Sequence, residues 1–204
     1  MKSLRKKTNK LVLQLREVFQ PARNGVILIH VNKTGGSSIG KALGMPLEHK
    51  TALEKIAQLG QKKWDNCYTF AVVRNPWDKV VSHYHYRVQT NQTGLAKTKI
   101  DFKQWVKLCY EQQHPTYYDK PKMFQPQTDW ISDQQGKILV NQICRFETLN
   151  EDFLTLCKAI GKSAKLPHIK ISDRGKYTDY YDDETAEIVR KWFKKDIDLF
   201  GYKF

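Results

Sequence analysis

Val26-Ile27-Leu28-Ile29-His30-Val31, running straight into Asn32-Lys33-Thr34-Gly35-Gly36-Ser37-Ser38, decides the fold. The first run is apolar, rich in β-branched residues and introduced by Asn24-Gly25, the pattern of a buried parallel strand. The second is a polar Gly-Gly loop, and a helical pattern follows through Leu43. Two glycines let the backbone turn tightly, so successive N–H groups and the new helix N-terminus converge on one point. Such a point binds phosphate oxygens, helped by the helix dipole. Thr34, Ser37 and Ser38 add hydroxyl donors and Lys33 adds a mobile positive charge. The nucleotide-binding pattern GxxxxGK[ST] is absent, because here the Lys precedes the glycines. The segment reads as a phosphate cradle of another kind.

Working outward, Tyr68-Thr69-Phe70-Ala71-Val72-Val73 repeats the design, a buried strand leading into Arg74-Asn75-Pro76. Pro76 suits a first helical turn, and Trp77–Arg87 continues as a helix. An Arg at the carboxyl end of a parallel strand points into the crevice where open α/β sheets bind ligands. Ser82, about two turns into the helix, reaches toward the same place; the alternative for Arg74 is an ion pair with Asp78. Further helices are expected at Ala52–Leu59, Asp101–Cys109, Leu149–Ile160 and Asp182–Phe193, and further strands at Lys137–Val140 and Gln142–Arg145. Strands alternating with helices predict an α/β chain, a three-layer P-loop-like fold with a central, mostly parallel sheet flanked by helices. A single domain is expected over 23–204, after a basic helical segment at 1–22. That segment is read as a helix lying on the domain, with docking to a membrane surface as the alternative. Residues 87–98 and 111–133 have few apolar anchors and read as mobile loops over an acceptor.

The 204 residues suit one compact domain, and 40% hydrophobic with 12% aromatic residues excludes a disordered chain. A net charge of +14 calls for an anionic partner: nucleic acid, acidic glycan, anionic lipid or phosphorylated cofactor. Cys67, Cys109, Cys144 and Cys157 form no CxxC pair and no Cys/His cluster, so they read as reduced, mostly buried thiols, and no metal is expected. No apolar run reaches bilayer-spanning length. Leu11–Leu15 is interrupted by Gln14 and followed by Arg16 and Glu17, which does not make a signal peptide. The expected location is cytoplasmic.

Taken in order, these motifs resemble a known family. His30–Ile39 resembles the 5′-phosphosulfate-binding loop of sulfotransferases dependent on 3′-phosphoadenosine 5′-phosphosulfate (PAPS), usually written Pro-Lys-Thr-Gly-Gly-Thr/Ser. Val73-Arg74-Asn75-Pro76 with Ser82 is similar to their 3′-phosphate-binding segment. His49 lies between the two motifs, where membrane-type carbohydrate sulfotransferases and their bacterial relatives often carry a His. Arg145-Phe146-Glu147-Thr148-Leu149 resembles the family's Arg/Tyr-Glu-x-Leu segment, and Phe200-Gly201-Tyr202 its aromatic tail. One departure stands out: Asn32 occupies the position where Pro is common before the Lys.

The resemblance implies an O-sulfotransferase acting by in-line displacement at sulfur, on a hydroxylated acceptor that is a carbohydrate, an acidic glycan or another small molecule. It implies that Lys33 neutralises charge on the leaving phosphate, that residues 33–38 hold the 5′-phosphate, and that Arg74 and Ser82 clamp the 3′-phosphate. His49 is the expected general base, with His83 and Glu147 as alternatives; Glu147 is read rather as a buttress, and Asp129 as a polar residue in an active-site loop. Trp77, Arg174, Lys176 and Tyr177 are candidates for the adenine site. Tyr84, Tyr86, Tyr110, Tyr117, Tyr118 and Trp130 are candidates for lining the acceptor cleft. Two other classes remain open from composition and fold. A nucleotide or nucleoside kinase needs a Lys after the glycines and a Mg²⁺-binding carboxylate. A basic nucleic-acid-binding protein without catalysis would bind DNA or RNA in a salt-sensitive way.

Overall fold

The structure is a computed structural model that describes residues 25–166 and 175–204. The basic segment 1–22, His168 and Arg174 lie outside the described residues.

Strands β1 (Val26–Ile29), β2 (Tyr68–Val73) and β3 (Gln142–Arg145) form a sheet of order β1-β2-β3, parallel at both pairings. Each is joined to the next by helical crossovers, as parallel pairing requires. After β1 come α1 (Gly36–Leu43), α2 (Ala52–Leu59) and α3 (Gln61–Asp65). After β2 come α4 (Pro76–Gln89), a 3₁₀ segment at Gln92–Lys97, α5 (Phe102–Val106), α6 (Pro121–Phe124) and α7 (Thr128–Ile131). After β3 come α8 (Leu149–Ala159), α9 (Asp183–Trp192) and α10 (Lys194–Phe200).

The strand side chains alternate between two buried faces, as a period of two demands. Val26, Leu28, Phe70 and Val72 pack with Ile39 and Leu43 of α1 and with Leu149, Phe153 and Leu156 of α8. Ile27, Ile29, Ala71 and Val73 pack on the opposite face with Ala52, Trp64, Trp130, Ile131 and Phe200. These are the three layers. A third apolar cluster sits beside the sheet, where Trp77, Val80 and Val81 of α4 meet Trp105, Val106, Phe124, Val189 and Phe193. The helix starts follow sequence chemistry: Thr51 and Glu54 form a capping box on α2, and the Asn75 side chain accepts from the Trp77 N–H ahead of Pro76.

Three expectations need correction. Lys137–Val140 is not a sheet strand; it returns against α7 through a single antiparallel bridge, Ser132 to Ile138. Its apolar residues Ile138, Leu139 and Val140 instead rest against the edge of the core. Residues 87–98 are anchored by buried Leu95 and by Arg87, whose guanidinium is inaccessible and paired with Asp119 at 2.7 Å. Residues 111–133 carry two short helices whose Phe124, Gln127, Trp130 and Ile131 are fully buried. Isolated large anchors, spaced too widely to show a period, hold these segments down.

Candidate functional site

The site forms where the strands end. Lys33 follows β1 with φ 64°, a left-handed conformation that non-glycine residues rarely take, and Gly35 follows at φ 84° as the N-cap of α1. This double turn brings the loop back over the strand. Gly36 is then a steric necessity: a Cβ there would sit 2.3 Å from Cδ2 of the His30 ring. So the loop lies directly on a histidine that leaves the end of β1.

A second histidine stacks on the first. The His30 and His49 rings are 4.5 Å apart with 27° between their planes, and His49 Nδ1 lies 2.9 Å from the carbonyl oxygen of His30. A carbonyl oxygen only accepts, so Nδ1 carries the hydrogen and the neutral ring keeps its lone pair on Nε2. The far edge of His49 meets Trp130 at 6.0 Å. Burial, reinforced by the proximity of His49, holds His30 down to about 4, so it is neutral at pH 7. His83 is also driven well below the usual histidine value, first by burial and then by Lys79, Arg87, Lys33 and Lys120 around it.

Arg74 extends from β2 toward the loop. Its Nε and Nη2 contact Asp78 Oδ2 at 2.8 and 2.7 Å, Nη1 donates to the Lys33 carbonyl at 3.0 Å, and the guanidinium lies 3.8 Å from the Phe146 ring centre. The ion pair with Asp78 therefore exists, and the bond to the Lys33 carbonyl ties β2 to the glycine loop. The Arg74 peptide is clamped too: Gln127 Oε1 accepts from its N–H at 2.9 Å and Gln127 Nε2 donates to its carbonyl at 2.8 Å. Gln127 and Thr128 in turn donate through their backbone N–H groups to buried Asp196, each at 2.8 Å. Glu147 accepts from the Asn75 N–H at 2.6 Å and from the Tyr202 hydroxyl at 3.3 Å, a buttress behind the second loop.

A cleft of about 1200 Å³ joins these parts. Of the residues singled out from sequence, Lys33, Gly35, Gly36, Ser37, His49, Arg74, Ser82, Lys176 and Tyr177 all line it. Thr34 and Ser38 are outside its lining: the Thr34 hydroxyl is buried and donates to the Val31 carbonyl at 3.0 Å, stabilising the turn. Trp77 is core, inaccessible, with its indole N–H on the Ala186 carbonyl, so it is no adenine platform. Asp129 faces Lys195 at 2.9 Å on α7, away from the cleft. Among the acceptor-lining aromatics, only Tyr86 lines the cleft, 4.2 Å from Lys33 Nζ; Tyr84, Tyr110, Tyr117 and Tyr118 belong to the α4 cluster and Trp130 to the sheet core. Lys122 pairs with Glu54, whereas Lys120 lines the cleft.

Sequence reasoning gave no binding role to Phe146 or Asn32, and none to the clamp residue Gln127; Lys120 it grouped with Lys97, Lys99 and Lys122 as basic residues suited to an acidic glycan, and of these four Lys120 lines the cleft. Phe146 carried a signal, since it sits inside a recognised segment. Gln127 carried none, because its partners are 53 and 69 residues away. Among the described residues no group of His, Cys, Asp or Glu is arranged to hold a metal ion, and no helix is long and apolar enough to cross a membrane.

Comparison with known proteins agrees with this geometry. An uncharacterized protein of Archaeoglobus fulgidus is 30% identical over 109 residues, covering 53% of this chain and 80% of that one. The crystal structure of a sulfotransferase from Alicyclobacillus acidocaldarius matches with a TM-score of 0.50 at 13% identity, over 90% of this chain and 98% of that one; this is a likeness of fold. The model of the Sulfotransferase family matches residues 16–203, nearly the whole chain. With a parallel sheet, a glycine loop opening a helix and an arginine at the next strand end, the chain belongs to the sulfotransferase family.

Proposed function

We propose that this chain transfers the sulfo group of PAPS to a hydroxyl of a carbohydrate acceptor, with Lys33 and His49 as its reactive pair. The observation that carries the reading is the single cleft shared by the α1 N-terminus, Lys33, Arg74 and His49. Gly35, Gly36 and Ser37 present backbone and hydroxyl donors to the 5′-phosphate. Arg74, steadied by Asp78 and Gln127, and Ser82 take the 3′-phosphate, where a planar guanidinium makes paired hydrogen bonds. Lys176 and Tyr177 line the same cleft and are assigned to the adenine.

In the reaction, the acceptor oxygen attacks sulfur and forms a new S–O bond. The bond from sulfur to the bridging oxygen breaks, and its electron pair goes to the 5′-phosphate, where Lys33 neutralises it. The acceptor proton passes to His49 Nε2, the nitrogen left unprotonated by the His30 carbonyl.

The test is calorimetric binding of 3′-phosphoadenosine 5′-phosphate, with AMP as control and Arg74→Ala as the second protein. Micromolar binding that needs the 3′-phosphate and collapses in Arg74→Ala is the expected result. Equal binding of AMP, or Mg²⁺-dependent binding of ATP, would sink the reading and favour a kinase.

A further inference from the structure

His30 Nδ1, Asn32 Oδ1 and His83 Nδ1 are buried side-chain atoms without a hydrogen-bond partner among the described residues, and all three residues line the cleft. Each residue is at least nine-tenths buried, with exposures of 6%, 5% and 4%. Buried polar groups are almost always paired, so three exceptions lining one cleft call for an explanation.

Asn32 is the most specific of the three. Its Nδ2 donates to the Met123 carbonyl at 2.9 Å, and because a carbonyl cannot donate, this bond fixes which end of the amide is which. Oδ1 is therefore the unpaired atom, and it can only accept. What it lacks is a donor. Asn32 also stands where the sulfotransferase loop commonly carries Pro, a residue with no side-chain hydrogen-bonding group at all. The position leaves β1 two residues beyond His30, whose carbonyl orients His49. Two residues of chain span at most about 7 Å, and Asn32 and His49 line the same cleft, so a molecule the size of one sugar ring can reach both.

The neighbours narrow the donor's chemistry. His30 and His83 are neutral by virtue of burial. An ammonium can only donate, whereas a hydroxyl donates to Asn32 Oδ1 and also accepts from the N–H of a neutral imidazole.

Resting on the proposed transfer to a carbohydrate, we infer that Asn32 is a specificity-determining residue, which accepts a hydrogen bond from a second hydroxyl of the acceptor beside the one sulfated. The acceptor is thus a polyol, and a compound with one isolated hydroxyl is a poor substrate. A site built to pair with a hydroxyl discriminates strongly against the analogue lacking it, because its own polar group is then left unpaired.

The experiment is a cycle on the full chain with labelled PAPS. Wild type and Asn32→Ala are assayed with methyl β-D-galactopyranoside, methyl β-D-glucopyranoside and their monodeoxy analogues, while calorimetry follows 3′-phosphoadenosine 5′-phosphate. In wild type, removing one particular hydroxyl other than the sulfated one should lower kcat/KM at least a hundredfold. In Asn32→Ala the parent glycoside should lose at least tenfold, that same deoxy penalty should largely vanish, and nucleotide affinity should stay within twofold. Asn32→Ser, with a shorter acceptor oxygen, should recover part of the loss and guards against a merely misfolded Ala variant. Additive penalties overturn the inference. So does a protein that binds the nucleotide but sulfates none of the glycosides, or one that accepts cyclohexanol as well as the sugars. Failure to bind the nucleotide at all overturns the donor reading together with it.

Discussion

Gln127→Met tests whether the second loop is held from behind. Methionine matches glutamine in length and fills the same inaccessible space, but it offers neither an amide N–H nor a carbonyl. The change strands both the N–H and the C=O of Arg74, which Gln127 pairs at 2.9 and 2.8 Å in the buried core. Leaving a buried backbone group unpaired costs about 1–3 kcal/mol. Two such groups give roughly 2–6 kcal/mol, and the longer contact of Gln127 Nε2 with Asp196 at 3.2 Å adds little. For a chain of this size about 3 kcal/mol corresponds to a fall in Tm of roughly 6–12 °C. Urea unfolding is the assay, read as a drop in midpoint with an unchanged slope. Affinity for 3′-phosphoadenosine 5′-phosphate should fall more than affinity for AMP, because the displaced group is Arg74. A loss of stability below about 1 kcal/mol would refute the reasoning, since it would mean that water or a small shift satisfies the Arg74 peptide at once.

Three further outcomes follow from the same structure. Gly36→Ala drives a methyl into the His30 ring and should weaken nucleotide binding at least tenfold by calorimetry; retained affinity would show that the ring yields cheaply. His30 has a folded pKa depressed to about 4 from 6.5, so its contribution is full above pH 6.5 and is lost as the pH falls from 6.5 toward 4. His83 acts in the same direction, and His30→Gln should therefore flatten the acid side of the stability curve; an unchanged slope between pH 7 and 4.5 would count against the burial argument. Lys79 is fully buried, its Nζ lacks a hydrogen-bond partner, and burial lowers it to about 8 despite attraction from Asp196. Lys79→Met should stabilise the protein at pH 7 by about 1–3 kcal/mol, whereas a loss in urea unfolding would show that the attraction to Asp196 outweighs desolvation.

The strands and helices that carry a strong local period were legible in sequence: β1, β2, β3, α1, α2, α4, α8 and α9 lie where pattern and caps placed them, to within a few residues. Lys137–Val140 misled because a run of apolar residues at the sheet's edge looks like a strand when its pairing partners are unseen. The region from 111 to 133 misled in the opposite sense, since Phe124 and Trp130 bury large areas with no repeating spacing to announce them. The loop glycines, Lys33 and Arg74 could be named as cleft residues from the chain alone, because phosphate chemistry dictates residue types in a short window, and His49 from its place between the two motifs of the family they resemble. The clamp of Gln127 and Asp196 could not, as it joins side chains brought together only by the finished fold. Asn32 was visible as a departure from the loop pattern, but its unpaired oxygen was not.

The edge-on contact between His49 and Trp130 has an optical consequence. An imidazolium quenches indole emission at such range and a neutral imidazole does so much less, so Trp130 is placed to report the protonation of the proposed base. The chain has five tryptophans, and replacing Trp64, Trp77, Trp105 and Trp192 by Phe would leave that one emitter. A pH titration of its fluorescence would then read His49 in the resting protein, and a stopped-flow trace would follow the proton during turnover without any added dye.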